Sequence, residues 1–143
     1  PAIPTEEAYA DQKYLNEIAD RFDGAVASDH RGLNVAPWNI GGYHVTDRGG
    51  QPFVDDDPVL LYHFQGLKIL GSRLFDLYTG PMRIPTPVNA LIYRPYIRAL
   101  RESFRILRQE TPGFDKGIQP LTPRHAASQI RRALRGTGNL AVC

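Results

Sequence analysis

The stretch Val59-Leu60-Leu61-Tyr62-His63-Phe64-Gln65-Gly66 decides how the fold is interpreted. Its first six residues form an apolar run, and such a run is typical of a strand that is covered on both faces. We therefore predict that residues 59–64 form the central strand of a mixed α/β fold. Gln65-Gly66 indicates a turn, so His63 should lie at the end of this strand.

A β-hairpin is predicted directly upstream of this stretch. Tyr43–Thr46 and Gln51–Val54 are its arms, joined around Asp47–Gly50. Asp55–Asp57 follows, and carboxylate oxygens in such a cluster suit Mg²⁺ or Mn²⁺. Three adjacent acids before Pro58 are more simply a solvated turn, and we favour that interpretation.

Helices are predicted on both sides of this β region. The first runs from about Glu6 to Phe22, with apolar residues at helical spacing and Gly24 beyond its end. A longer one runs from about Val88 to Gln109, and Pro95 should kink or restart it. A final helix opens at Thr122-Pro123 and ends near Arg135, with Thr122 as its cap.

The remaining segments carry weaker signals. Glycines and prolines throughout residues 65–87 limit any helix there to a short piece near Arg73–Tyr78. Gly113–Pro120 is predicted to be a linker, and Gly136–Cys143 a loose tail. No apolar run approaches the roughly 18 residues that a membrane span requires. Since the sequence begins at Pro1 without Met and becomes helical almost at once, we expect it to be part of a longer protein.

Charge is divided unevenly along the 143 residues. Residues 1–57 carry 11 of the 15 acidic and 4 of the 17 basic side chains, whereas residues 58–143 have a balance of +9. Within the long helix, arginines recur at steps of four and three residues and form one basic stripe. The stripe consists of Arg94, Arg98, Arg101, Arg105 and Arg108. Such a helix suits anionic lipid or an acidic partner, although a solvated helix face is the commoner outcome.

Nucleic-acid binding is disfavoured. Tyr93-Arg94-Pro95-Tyr96 interleaves aromatic and basic residues, but the sequence shows no nucleic-acid-binding motif. The first part of the chain, residues 1–57, also carries a net negative charge.

His63 allows two interpretations from the residues alone. An imidazole at a strand end that faces a cleft can ligate a metal or contact a substrate. A core histidine with both ring nitrogens hydrogen-bonded is the alternative, and composition by itself favours it.

Three short motifs carry a resemblance to a known family. They are Asp11-Gln12-Lys13-Tyr14-Leu15-Asn16 on the first helix, Gly32-Leu33-Asn34-Val35-Ala36-Pro37-Trp38-Asn39, and Tyr62-His63-Phe64-Gln65-Gly66. With the intervening Gly-Gly hairpin, their order resembles the C-terminal half of bacterial nucleotide-sugar glycosyltransferases of the GT-A fold. Glycogenin-like enzymes and lipooligosaccharide galactosyltransferases are the related groups, and the resemblance covers about residues 5–110.

The resemblance implies a catalytic site with a divalent cation, Mn²⁺ or Mg²⁺. His63 matches the histidine of the family's His-Phe-x-Gly motif, which binds that metal beside two aspartates of an Asp-x-Asp motif. Asp11 and Gln12 match an Asp-Gln pair near the sugar and the acceptor, and they become the catalytic candidates. The family's Asp-x-Asp motif precedes the segments matched here, so other residues are expected to complete the metal site.

Five further residues become substrate-binding candidates through the same resemblance. Asn34, Trp38 and Asn39 would lie on a loop that faces the cleft. Gly66 belongs to the histidine motif. Lys68 stands one place earlier than the family's diphosphate-binding lysine.

The resemblance also implies an organisation and a function. Residues 1–87 would be the C-terminal part of a GT-A-like catalytic domain, and residues 88–143 a basic helical extension. The full-length protein would transfer a sugar from a nucleotide-diphosphate donor to a saccharide or glycolipid acceptor in the cytoplasm, at the inner face of the membrane through the Arg stripe. These 143 residues alone are expected to be inactive. The competing class is a non-catalytic module whose Arg-striped helix docks an acidic protein or an anionic membrane.

Overall fold

A computed structural model describes residues 17–71 and 73–142. The chain divides between His30 and Arg31 into two units. In the first unit, the described residues form the short helix α1, Ile18–Arg21, with an ion pair between Glu17 and Arg21. The rest of the predicted first helix, including Asp11 and Gln12, lies outside the described residues.

The second unit opens with irregular chain and a small antiparallel sheet. Single 3₁₀ turns cover Arg31–Leu33 and Ile40–Gly42. The strands β1 (Val45–Arg48), β2 (Gln51–Val54) and β3 (Asp57–Pro58) pair in the order β1-β2-β3. Gly49 and Gly50 both have positive φ, which the tight β1–β2 turn requires and which glycine adopts without strain. The predicted hairpin is therefore confirmed.

The predicted central strand is wrong. Residues 59–64 make one isolated parallel bridge, between Val35 and Tyr62, instead of forming a strand of either sheet. Their apolar run is not covered on both faces, because Leu60 is 61% exposed and Leu61 is exposed as well. A continuous apolar run therefore does not guarantee two covered faces.

A second sheet collects short strands from distant parts of the sequence. The strands β4 (Lys68–Leu70), β5 (Leu74–Asp76), β6 (Ile118–Gln119) and β7 (Leu140–Val142) pair in the order β6-β4-β5-β7. The β4–β6 pair is parallel, and the other two pairs are antiparallel. The predictions of a linker at Gly113–Pro120 and of a loose tail are wrong, since β6 pairs with β4 and β7 pairs with β5. The segment near Arg73–Tyr78, where the sequence allowed a short helix, contains β5 instead. The sheet also joins residues on both sides of the boundary predicted at position 87.

The helices of the second unit follow the sequence predictions closely. The helix α2 (Thr86–Val88) leads through a π turn at Asn89–Tyr93 into α3 (Arg94–Glu110). The ring nitrogen of Pro95, in the first turn of α3, cannot donate a hydrogen bond, and the helix changes its pattern beside it. The helix α4 (Pro123–Leu134) starts at Thr122, whose hydroxyl accepts a hydrogen bond from the His125 N–H at 3.3 Å.

One hydrophobic core connects the two sheets and α3. Its buried side chains come from the irregular loop, from strands and from helices: Val35, Ile40, Val54, Phe75, Leu77, Ile84, Val88, Tyr93 and Ile97. The fold is thus mixed α/β, as predicted. None of the helices formed by the described residues has the length and apolar content of a membrane-spanning segment.

Candidate functional site

The site predicted from the sequence centres on His63, and the structure exposes this side chain. Tyr62 and Phe64, on either side of it, pack inward, with ring centroids 5.5 Å and 5.2 Å from that of Tyr93. Tyr62 and Phe64 are half-buried whereas His63 between them is exposed, so the His63 side chain faces away from the core. The core-histidine interpretation therefore does not fit the structure.

Backbone hydrogen bonds fix the segment that carries His63. Its N–H donates to the Val35 carbonyl at 2.8 Å, and the Val35 N–H donates to the Leu61 carbonyl at 3.2 Å. The N–H groups of Leu60 and Leu61 both donate to the Gly32 carbonyl. The segment is thereby joined to the loop that contains Asn34, Trp38 and Asn39.

Asn39 holds this loop in shape. Its side-chain oxygen accepts a hydrogen bond from the Ala36 N–H at 2.8 Å, and its side-chain nitrogen donates to the Asn34 carbonyl at 2.7 Å. Val35, Ala36 and Pro37 are buried, which anchors the loop in the core. The side chain of Asn39 is used within the loop, so this residue positions the site.

The same loop places the side chain of Trp38 at the surface. Its side chain is 45% exposed, and its ring centroid lies 5.7 Å from that of His63, with the rings tilted by 40°. The structure thus brings together two of the predicted site residues as a surface pair of an indole and an imidazole. Asn34, on the same loop, is also exposed.

Gly66 and Lys68 are placed apart from this pair. Gly66 has φ +77°, and an added Cβ would lie 3.0 Å from the side chains of Tyr78 and Thr79. Backbone conformation and packing therefore explain why this residue is glycine. Lys68 opens β4 opposite Asp76. No hydrogen bond, ring contact or ion pair of the described residues joins either one to His63.

The carboxylates of the acidic turn serve the fold, as the turn interpretation predicts. Asp55 accepts hydrogen bonds from the His44 N–H at 2.9 Å and the Arg31 guanidinium at 2.6 Å. Asp57 accepts one from the Arg31 N–H at 3.0 Å. The hydrogen bond from the His44 N–H lowers the pKa of Asp55 most, and the Arg31 guanidinium lowers it further.

The fit of this site to a divalent cation rests on one donor among the described residues. The imidazole of His63 is exposed and is a nitrogen ligand of the right kind for Mn²⁺. Over residues 17–71 and 73–142, no three His, Cys, Asp or Glu side chains form a group that could hold a metal ion. His63 would thus need ligands from outside this part of the chain.

A second surface feature was predicted only in part. All five arginines of the stripe on α3 are exposed, as expected for one helix face. Four of them line a groove whose other wall comes from β4, β5 and β6. Helical spacing identifies the arginines, but nothing local in the sequence indicates that Ile69, Phe75 and Ile118 lie opposite them.

Two relatives were found among known proteins, both from Bacillus subtilis (strain 168). The chain is 29% identical over 120 residues to the uncharacterized protein YfnD, covering 84% of this chain and 38% of YfnD. It is 24% identical over 112 residues to the uncharacterized protein YfnF, covering 78% of this chain and 37% of YfnF. The chain therefore spans less than two fifths of the length of these relatives. No family model and no solved structure matches it.

Proposed function

We propose that the chain is part of a metal-dependent glycosyltransferase that moves a sugar from a nucleotide-diphosphate donor to a hydroxyl acceptor. The observation that carries the proposal is the exposure of His63 beside Trp38, on segments fixed by backbone hydrogen bonds. The order of the sequence motifs, which resembles the C-terminal half of GT-A enzymes, supports the same function.

His63 would hold Mn²⁺ or Mg²⁺ through one neutral ring nitrogen. When bound, such a cation acts as a Lewis acid that offsets the charge developing on the departing diphosphate. Protons compete with the metal for the imidazole, so metal affinity should fall as the solution becomes more acidic. The backbone hydrogen bond from His63 to Val35 keeps the main chain of His63 beside the loop.

Trp38 and Asn34 would contact the sugars. The exposed face of an indole offers a flat apolar surface, and one face of a sugar ring presents C–H groups that pack against it. The exposed amide of Asn34 can donate hydrogen bonds to hydroxyl groups and accept them. Asn39 would act through the loop that it holds. Asp11 and Gln12 remain proposed catalytic residues, and Gly66 and Lys68 proposed substrate-binding residues, on the resemblance alone.

The acceptor would be a saccharide or glycolipid, in cell-surface polysaccharide or glycolipid synthesis at the inner face of the cytoplasmic membrane. The Arg stripe supports this part of the proposal, since clustered arginines attract anionic lipid. The same stripe also supports the second candidate function, a non-catalytic module. Arg98 and Arg101 have no ion pair or hydrogen bond within the described residues, which leaves both free for an acidic partner.

A manganese titration of the full-length protein separates the two functions. A glycosyltransferase should hydrolyse or transfer a nucleotide-diphosphate sugar in proportion to bound Mn²⁺, and His63→Ala should abolish that dependence. His44→Ala is the matched control, since His44 is also exposed and lies outside the loop. Absence of metal-dependent turnover with every nucleotide-sugar tested would favour the module.

A further inference from the structure

The groove beside α3 is large enough for a small ligand. It measures about 540 Å³ and lies between one face of α3 and the sheet strands β4, β5 and β6. Its lining combines charged and apolar side chains: Ile69, Phe75, Arg98, Arg101, Glu102, Phe104, Arg105, Arg108 and Ile118. Four arginines against one glutamate make this lining strongly cationic.

The four arginines are not equally available. Arg105 forms two hydrogen bonds with Glu102, at 2.9 Å and 2.6 Å, so its charge is neutralised locally. Arg108 donates to the Phe114 carbonyl at 3.1 Å. Arg98 and Arg101 make no such bond within the part of the chain that the structure describes. At one end of its helical wall, the groove therefore presents two guanidinium groups that pair with none of residues 17–71 and 73–142.

The spacing of these two groups on α3 allows them to bind one anion together. Residues three apart on a helix are neighbours on its surface, with Cβ atoms about 5–6 Å apart. A guanidinium group presents its N–H donors in a planar fork that matches two oxygens of a phosphate. Two adjacent forks can together bind three or four oxygens, which a phosphate offers and a single carboxylate does not.

The other side chains of the groove are apolar and continuous with the core. Phe75 is buried in the core cluster, and Ile69 packs against that cluster. Ile118 and Phe104 are half-buried beside them. An inorganic anion alone would leave this apolar lining in water, whereas a hydrocarbon chain attached to the anion would cover it.

We propose that this groove binds a phosphate group carried on a hydrocarbon chain, with Arg98 and Arg101 on the phosphate and Ile69, Phe104 and Ile118 along the chain. Such a ligand is either a soluble alkyl or prenyl phosphate or the corresponding lipid in a membrane. The inference does not depend on sugar transfer and would hold if His63 bound no metal.

Titration calorimetry with alkyl phosphates of four, six and eight carbons, below micelle-forming concentrations, tests the proposal. Affinity should rise with chain length, by up to about fourfold for each methylene that becomes buried. Inorganic phosphate should bind more weakly than any of the three. Replacing Arg98 or Arg101 by Gln should weaken octyl phosphate about tenfold each, as expected for lost hydrogen bonds between charged groups.

Arg124→Gln is the matched control, because Arg124 is exposed on α4, lies outside the Arg stripe and does not line the groove. It should leave the affinity for octyl phosphate unchanged. Arg98→Lys and Arg101→Lys keep the charge and remove the fork, so an intermediate loss is expected. Circular dichroism checks that each variant is folded. We expect all of them to fold, because the three replaced arginines are exposed.

The source of the ligand is identified by vesicles that contain phosphatidic acid. Binding to both octyl phosphate and these vesicles, with the same dependence on Arg98 and Arg101, would indicate a membrane lipid. Binding to octyl phosphate alone would indicate a soluble ligand. Vesicle binding without octyl phosphate binding would overturn the proposal, and so would an affinity that does not change with chain length. An equal loss of affinity in Arg124→Gln, or equally tight binding of an acidic peptide, would also overturn it.

Discussion

The charged contacts of the two sheets differ in burial: that of β1-β2-β3, the first region, is partly exposed, and that of β6-β4-β5-β7, the second region, is buried. The sheet β1-β2-β3 is built from residues 45–58, and the turn carboxylates of Asp55 and Asp57 join it to the nearby chain. The sheet β6-β4-β5-β7 gathers residues 68–142, and one buried ion pair fastens α4 to it.

The second region differs from the first in the burial of this ion pair. Asp76 is 3% exposed and accepts hydrogen bonds from Arg132 and Gln129 of α4, both at 2.6 Å. Arg132 also donates to the Tyr78 carbonyl. Because α4 turns these polar side chains inward, its Ile130 and Leu134 are exposed. The Asp55–Arg31 ion pair of the first region is thus partly exposed, whereas the Asp76–Arg132 pair that holds α4 in the second region is buried.

The comparison predicts its largest effect at Asp76. Asp76→Ala should lower the free energy of unfolding by about 3–5 kcal/mol, because the Arg132 charge would stay buried without its partner. Urea unfolding followed by circular dichroism measures the change. Asp56→Ala is the control, since Asp56 pairs with Arg48 but its side chain is 98% exposed. Equal losses for the two variants would contradict the contrast between the regions.

The second effect concerns the loop that positions Trp38. Asn39→Ala removes two hydrogen bonds and leaves the buried Ala36 N–H without a partner, which should cost about 1–3 kcal/mol. Trp38 is the only tryptophan, so its fluorescence reports directly on the loop. A shift in emission is expected for Asn39→Ala and little change for Asn34→Ala. Identical spectra in both variants would mean that Asn39 does not hold the loop.

A smaller effect is expected at the start of α4. Thr122→Ala removes the oxygen that caps the helix, and such a loss typically costs about 1 kcal/mol. Thr122→Ser keeps a capping oxygen and should retain most of the stability. If serine fails to rescue the midpoint of urea unfolding, the cap is not what stabilises this helix.

The smallest effect is a pH dependence in the first region. Because the pKa of Asp55 is lowered in the folded state, its ionised form stabilises the fold at neutral pH. That stability should be lost as the pH falls below about 4, where the unfolded carboxylate gains its proton. Asp55→Asn tolerates the positive φ of this position and removes the charge.

The variant should be less stable than the wild type at neutral pH and should lose less stability on acidification. The midpoints of urea unfolding at neutral pH and at about pH 3 give both the stability at neutral pH and the loss of stability on acidification. A variant whose stability falls as steeply as that of the wild type would place the acid dependence elsewhere.

Local signals in the sequence predicted the elements that depend on local interactions. The Gly49-Gly50 turn, the Thr122-Pro123 start of α4 and the proline in α3 all lie where the pattern places them. The β5–β7 pairing brings together residues more than 60 positions apart. The glycines and prolines around β5 give no sign of a distant partner, so the sequence pattern does not predict a strand there.

The candidate site was predictable in its members but not in its geometry. Motif order indicated Trp38 and His63, and the structure places their rings side by side. The exposure of His63 follows from the inward packing of Tyr62 and Phe64, which an uninterrupted apolar run conceals. The burial of Asp76 was equally hidden, since its partners Gln129 and Arg132 lie on another element.

The proposal that His63 holds a divalent cation for a nucleotide-sugar donor is tested most directly by Mn²⁺ binding to the full-length protein. Electron paramagnetic resonance of free Mn²⁺, with and without a nucleoside diphosphate, gives the affinity. We predict that His63→Ala weakens Mn²⁺ binding by about tenfold or more, while His44→Ala leaves it unchanged. Equal Mn²⁺ affinity in the wild type and in both variants would contradict the proposal.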